Sequence, residues 1–346
     1  MDMVKVGVIG CGKIAQVRHL PEYEENGNAL LAGLYDIHRQ RAADLARTYR
    51  CAAYETCEDL LGNPEIDAVS VCAANHAHAE LTVAALRAGK HVLCEKPMAM
   101  TYADCERMVL AARENGKILM VDHNQRFAKA HQKARQLLKE GAIGELLTFR
   151  TTFGHGGPET WSVDPGKDVW FFDRQKACMG AMGDLGVHKT DLIQYLTGRK
   201  IVRVMAQLGT LDKRDAAGVP IGVDDNAVCI YTLEGNVIGT MTASWTHYGM
   251  EDNSTVLCGT GGIMRIYESP DCAIRIVGRD GGEVLYRIDG IQTNDRQTNS
   301  GVIDHFVECV ETGAQPESSG ESALRAMKAV FAGMESSQCG RSISIE

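Results

Sequence analysis

At 346 residues the chain is long enough for two domains of ordinary size. With 45% hydrophobic and 23% charged residues it has the composition of a globular protein, which excludes a disordered or fibrous chain. Its 36 basic against 45 acidic side chains give a formal net charge of −9, and no basic run offers a surface to nucleic acid or an anionic membrane.

No apolar run reaches the roughly 18 residues of a membrane span. Met1 to Ile9 runs directly into a strand-like segment, with no basic start and no small-residue cleavage site, so a cytoplasmic protein is expected. Twelve cysteines are many, but none are spaced Cys-x-x-Cys, and Cys72, Cys94 and Cys229 lie in apolar runs. That pattern reads as buried free thiols, with no metal site and no disulfide framework.

In chain order, Val4–Ile9 is a short β-rich run, followed by a Gly-rich turn and a helical stretch to about Glu25. Ala29–Tyr35 is a second strand ending at Asp36, and His38–Tyr49 a polar helix. Asp67–Ala73, His91–Cys94 and Ile118–Val121 read as buried strands, with helices over Ala79–Ala88 and Tyr102–Glu114 between them. This alternation predicts a doubly wound parallel sheet over residues 1–122. Beyond it the pattern changes to successive strands, from Leu146–Phe153 through Val284–Ile288. Glu234-Gly235-Asn236 and Asp280-Gly281-Gly282 supply hairpin turns. One helical region, Asp184–Leu196, interrupts the strands, and Thr210–Val223 reads as a surface loop. Residues 123–346 are therefore expected to form an α+β domain with a large, mainly antiparallel open sheet. Such a sheet needs its open face covered, which predicts a homodimer or homotetramer joined through it.

Gly10-Cys11-Gly12-Lys13-Ile14-Ala15 fits G-x-G-x-x-A between a strand and a helix. The first glycine permits the turn, the second lets backbone approach a pyrophosphate, and the helix N-terminus offers free N–H groups. Asp36 stands about 20 residues on, where a ribose-binding carboxylate belongs. It favours NAD over NADP by repelling a 2′-phosphate, although Arg39 and Arg41 are close enough in sequence to offset part of that repulsion.

The chemistry-bearing residues follow. Glu95-Lys96-Pro97 closes a strand at the carboxyl edge of the parallel sheet, where ligands bind in open α/β folds. A lysine there either donates to a substrate oxygen or is an ordinary strand-end cation. Asp184 and His188 share one helix face at i, i+4, either as a base with its orienting carboxylate or as a helix-start Asp with a structural His. Ala73, Asn75 and His78 belong to a loop at the same sheet edge. The His-x-His spacing within Ala74-Asn75-His76-Ala77-His78 lacks a carboxylate cluster and fits nucleotide-facing loop residues better than a metal.

In this order and spacing, the Gly10–Ala15 fingerprint, Glu95-Lys96-Pro97 and Asp184…His188…Asp191 resemble the Gfo/Idh/MocA oxidoreductases, the glucose-fructose oxidoreductase and inositol dehydrogenase family. Asn124-Gln125-Arg126-Phe127 resembles that family's segment after the last Rossmann strand. The resemblance implies a cofactor set of Gly10, Gly12, Lys13, Ile14, Asp36, Arg41, Ala73, Asn75, His78, Glu95, Lys96 and Asn124. It implies hydride transfer at a carbinol carbon of a sugar, glycoside or cyclitol, with His188 as general acid/base, Lys96 polarising the reacting oxygen, and Asp184 binding a neighbouring hydroxyl or tuning both. Arg126, His155 and Trp170 complete the expected substrate contacts. The aromatic stretch holding Trp161 and Trp170 either stacks on a sugar or cofactor or anchors a long loop. One departure stands out: Cys178 and Met179 occupy a stretch that is often glycine-rich in the family. Two further functions use the same residues. One is transient oxidation followed by elimination with NAD recycled in place, and the other is a non-catalytic NAD sensor.

Overall fold

A computed structural model describes residues 3–288, 290 and 299–345, which fall into two compact units. The first comprises the chain as far as Asn124, the short segment Trp161–Asp164, and a return of the chain ending at Leu324. The second comprises Gln125–Thr160, the chain from Pro165 to residue 290, and Arg325 onward.

In the first unit the strands are β1 (Val4–Ile9), β2 (Ala29–Tyr35), β3 (Ala52–Ala53), β4 (Ala68–Val71), β5 (His91–Cys94) and β6 (Leu119–Val121). They pair in parallel in the order β3-β2-β1-β4-β5-β6. Between them lie α1 (Leu20–Glu25), α2 (Arg39–Tyr49), α3 (Cys57–Gly62), α4 (Asn75–Arg87) and α5 (Tyr102–Asn115). All four residues of β4 are buried, as expected for a central strand covered on both faces. The sequence marks the helix ends locally. Thr101 caps α5 by accepting from Asp104 N at 3.1 Å, and Gly116 closes it in the left-handed region at φ 59°.

A single break at residue 122 does not describe this chain, because a later segment returns to the first unit. Val121 N donates to Ser318 O at 2.9 Å, and Ser300 donates through N and Oγ to Glu22 at 2.9 and 2.8 Å. The returning helix has a helical signal of its own in the apolar spacing of Val302, Ile303, Phe306 and Val307.

The second unit starts with α6 (Lys129–Lys139) and β7 (Leu146–Gly154), then α7 (Arg174–Ala177) and α8 (Val187–Thr197). Strands β8 (Ile201–Gly209), β9 (Asn226–Leu233), β10 (Ile238–Ser244), β11 (Thr255–Gly259), β12 (Gly262–Ser269), β13 (Cys272–Gly278) and β14 (Glu283–Tyr286) follow. After the returning helix α9 (Val302–Thr312), α10 (Gly320–Cys339) and β15 (Ile343–Ser344) end the chain. The nine strands run β14-β13-β12-β11-β7-β10-β9-β8-β15, antiparallel except for the β7–β10 pair. Gly235 and Asn236 at φ 77° and 61° give the β9–β10 connection the twist that a tight hairpin needs. One sheet face packs inward, where Ser336 of α10 holds Ala206 N at 3.0 Å. The opposite face carries exposed Met205, Val228, Ile230 and Ile238 on three neighbouring strands.

Candidate functional site

The dinucleotide end belongs to the first unit. Gly10 has φ 95°, and a Cβ there would sit 2.6 Å from the Cys72 carbonyl carbon, so only glycine fits. A Cβ on Gly12 would meet no protein atom within 4 Å. It would instead fill the space over the turn, which suits a pyrophosphate cradle. Asp36 is held by two backbone donors, Cys11 N at 2.6 Å and His38 N at 2.7 Å, which fix its carboxylate beside the turn. An ionised carboxylate keeps lone pairs beyond those two bonds for ribose hydroxyls. Burial, with the Asp36 charge as the next cause, pushes the Cys11 thiol up to about 12, so it stays protonated and inert. Lys13 and Ile14 lie half-buried on the turn, as do Ala73 and Asn124 at the ends of β4 and β6.

Two residues expected to face the cofactor point elsewhere. The ring nitrogens of His78 lie 2.8 Å from Pro97 O and 2.9 Å from Ala73 O, and the ring is buried. It braces the Lys96–Pro97 turn against the loop after β4. Neighbouring Asn75 is buried at the start of α4. Glu95 turns its carboxylate inward, with Oε1 2.9 Å from His19 Nε2 and Oε2 accepting from Lys96 N at 3.1 Å. His19 Nδ1 then meets Ser70 Oγ at 3.1 Å, and Arg18 Nη1 bonds Asp122 Oδ2 at 2.9 Å. Burial opposes charge on Glu95, but the His19 hydrogen bond and the charges of His19 and Arg18 outweigh it and hold the carboxyl down to about 2. The adjacent Asp122 is pushed up by burial, and the Glu95 charge adds to that. His19, Glu95 and Asp122 are close enough to suggest metal ligation, yet the Arg18 guanidinium already supplies the cation there. Lys96 itself is half-buried at the end of β5.

The second unit carries the other candidates. A π-helical turn, Met182–Gly186, leads into α8 and places Asp184 and His188 at 7% and 8% exposure. Trp245, one residue past β10, donates its indole N–H to Asp184 Oδ2 at 3.0 Å. His155 Nδ1 accepts from Gly157 N at 3.0 Å, which leaves Nε2 as the donor, 3.9 Å from the same Asp184 oxygen. The Phe153 ring packs between the imidazoles of His155 and His188, with centroids 5.9 and 5.8 Å away. Asp184, His155 and His188 thus lie close to one another. Arg126 does not join them. It bonds Asp191 with two nitrogens, Nε at 2.7 Å, and is buried against Tyr195, so it fastens α8. Trp170 stacks on Phe171 at 3.8 Å, and Phe171 and Phe172 pack on Trp245, so this aromatic stretch anchors its loop.

The stretch that departs from the family's glycines is pinned by Asp224. Its carboxylate accepts from Gly180 N and Met182 N at 2.8 and 2.7 Å. Cys178 adopts the left-handed backbone, φ 67°, without being glycine. Trp245, Asp224, His19 and Asp122 are not among the residues that the sequence points to. Only Trp245 carries a usable signal, since a buried indole at a strand end needs an acceptor.

Residues 4–123 match the oxidoreductase family with an NAD-binding Rossmann fold, and residues 131–265 match the GFO/IDH/MocA C-terminal domain. Levoglucosan dehydrogenase of Pseudarthrobacter phenanthrenivorans is 29% identical over 78% of this chain and 75% of its own. Myo-inositol 2-dehydrogenase of Thermotoga maritima is 26% identical over 99% of both chains. 2,7-Anhydro-N-acetylneuraminate hydratase of Escherichia coli is 28% identical over 76% of this chain and 68% of its own. Among the described residues no helix is long and apolar enough to cross a membrane.

Proposed function

The chain belongs to the GFO/IDH/MocA family of NAD-binding oxidoreductases, and from that premise we propose that it oxidises a ring hydroxyl of a sugar, glycoside or inositol. The observation that carries this reading is the buried Asp184–His188 pair with Trp245 and His155 gathered on Asp184. A carboxylate and two imidazoles brought together in this way suit a ligand rich in hydroxyls, since a hydroxyl both donates to the one and exchanges hydrogen bonds with the other.

Bound NAD supplies the hydride acceptor, and its residues here are the Gly10–Ala15 turn and Asp36. His188 takes the hydroxyl proton on oxidation and returns it on reduction. Lys96 hydrogen-bonds the same oxygen and stabilises its developing negative charge. Asp184, held by Trp245, accepts from a neighbouring hydroxyl and orients the ring. We assign Glu95, His78 and Arg126 to bracing these groups, and His155 to a substrate hydroxyl through Nε2. Asn124 and Arg41 remain on the cofactor side.

The testing experiment follows NADH absorbance with inositols, free aldoses and simple glycosides. Reduction of NAD with one group names the substrate class. The hydratase relative favours a second reading, transient oxidation followed by elimination with NAD retained. It is supported if a leaving group is released without added NAD and no NADH accumulates. Finally, the apolar row of Met205, Val228, Ile230 and Ile238 suits cover by a second copy of the chain.

A further inference from the structure

We propose that Asp164 is a cofactor-selecting residue that excludes the 2′-phosphate of NADP by neutralising Arg41. The proposal rests on the NAD preference read from Asp36, and it adds a residue more than a hundred positions away in the sequence.

Arg41 lies in the first turn of α2, five positions after Asp36, and acts electrostatically on Cys11 in the Gly-rich turn. It is therefore the guanidinium placed to welcome a phosphate on the adenosine ribose. Its Nη2, however, lies 2.7 Å from Asp164 Oδ2, and the arginine side chain is only 21% exposed. Asp164 comes from Trp161–Asp164, the short segment that joins the first unit although the chain on both sides of it belongs to the second. The other nearby guanidinium is also met, since Arg39 Nη1 lies 3.8 Å from Glu55 Oε2.

The local balance is then three carboxylates, Asp36, Glu55 and Asp164, against two guanidiniums. A 2′-phosphate needs an uncommitted fork of N–H donors and close to two positive charges. Here it would have to displace Asp164 from Arg41 while facing Asp36. A ribose with free hydroxyls asks nothing of Arg41 and suffers no such repulsion.

Binding of NADH and NADPH by calorimetry, without substrate, tests this independently of catalysis. Asp164 is 72% exposed, so Asp164→Asn leaves the core untouched. In Asp164→Asn, NADPH is expected to bind about fivefold tighter, the scale of an exposed ion pair, while NADH changes less than about twofold. The gain should fade near 0.5 M salt, where screening is short-ranged. Glu55→Gln should act in the same direction but more weakly, because its pair is longer and more exposed. An unchanged NADPH affinity in Asp164→Asn overturns the proposal, as does equal weakening of both cofactors. Wild-type protein that binds NADPH more tightly than NADH overturns instead the NAD preference underneath it.

Discussion

Trp245 donates its indole N–H to Asp184 Oδ2 at 3.0 Å, and both residues are buried. Asp184 thereby has a fixed donor from the sheet before any substrate arrives. Trp245→Phe keeps the ring and deletes the donor, leaving a buried carboxylate oxygen short of a partner. That omission costs about 1–3 kcal/mol, or roughly ten- to hundredfold. The loss should fall on kcat with polyol substrate, while NADH affinity stays at the wild-type value. An unchanged kcat would show that the orientation of Asp184 is immaterial to turnover.

The proton-handling role proposed for His188 and the oxygen-binding role proposed for Lys96 make a paired prediction. General acid–base groups are worth about 10²–10⁴ in rate, so His188→Ala and Lys96→Met should each fall by that much. Both variants should still bind NADH, since the Gly10–Ala15 turn and Asp36 are untouched. The two losses should also be far from additive in the double variant. Full activity in either single variant would remove that residue from the catalytic machinery.

Much of this is legible from residues that answer to local rules. Gly10 must be glycine because of its φ and its contact with Cys72, and Gly235 and Gly281 mark hairpins by the same logic. Asp184 and His188 are visible because helical spacing is short-range. Partners joined through the fold are not visible. His19 lies 76 residues from Glu95, and Trp245 lies 61 from Asp184. The return of Ser300 and Ser318 to the first unit depends on Glu22 and Val121, with nothing local to announce it. Glu95 and Arg126 look like ligand groups in the sequence because charged residues at a sheet edge read that way. Their charges instead meet Arg18, His19 and Asp191 in the interior.

The exposed row on the large sheet yields a test of assembly. Ile230 pairs with Met205 on one side and Thr240 on the other, so it stands in the middle of the apolar stretch. Ile230→Lys would place a charge at the centre of any interface between two copies, where an unpaired buried charge is poorly tolerated. The variant should sediment as a monomer at concentrations where the parent does not. Identical sedimentation of the two proteins would place the interface elsewhere.

Lys189, next to His188, is fully buried, with Nζ donating to Asn253 O at 2.8 Å and lying over the Phe153 ring. Burial lowers its pKa from 10.5 to about 7, with Asp252 and Glu251 pulling the other way. The same site keeps His131 neutral, its pKa lowered to about 3 by burial and by the charge of Lys189. Unfolded, Lys189 keeps its proton up to its ordinary pKa, whereas folded it loses the proton near neutrality. From about pH 7 upward the unfolded chain therefore holds the extra proton. Between the folded and unfolded pKa values the stability of the fold therefore rises with pH, by about 1.4 kcal/mol for each pH unit climbed. Below that window the buried ammonium is a standing cost. Lys189→Met removes the charge at nearly constant volume, so the variant should gain on the parent at pH 6.5 and lose most of that advantage by pH 9.5. The buried thiols titrate in both proteins and cancel in the difference. Thermal unfolding of the pair at pH 6.5, 8 and 9.5 reads this directly. Two curves that stay parallel across the range would mean that the folded lysine titrates where the unfolded one does.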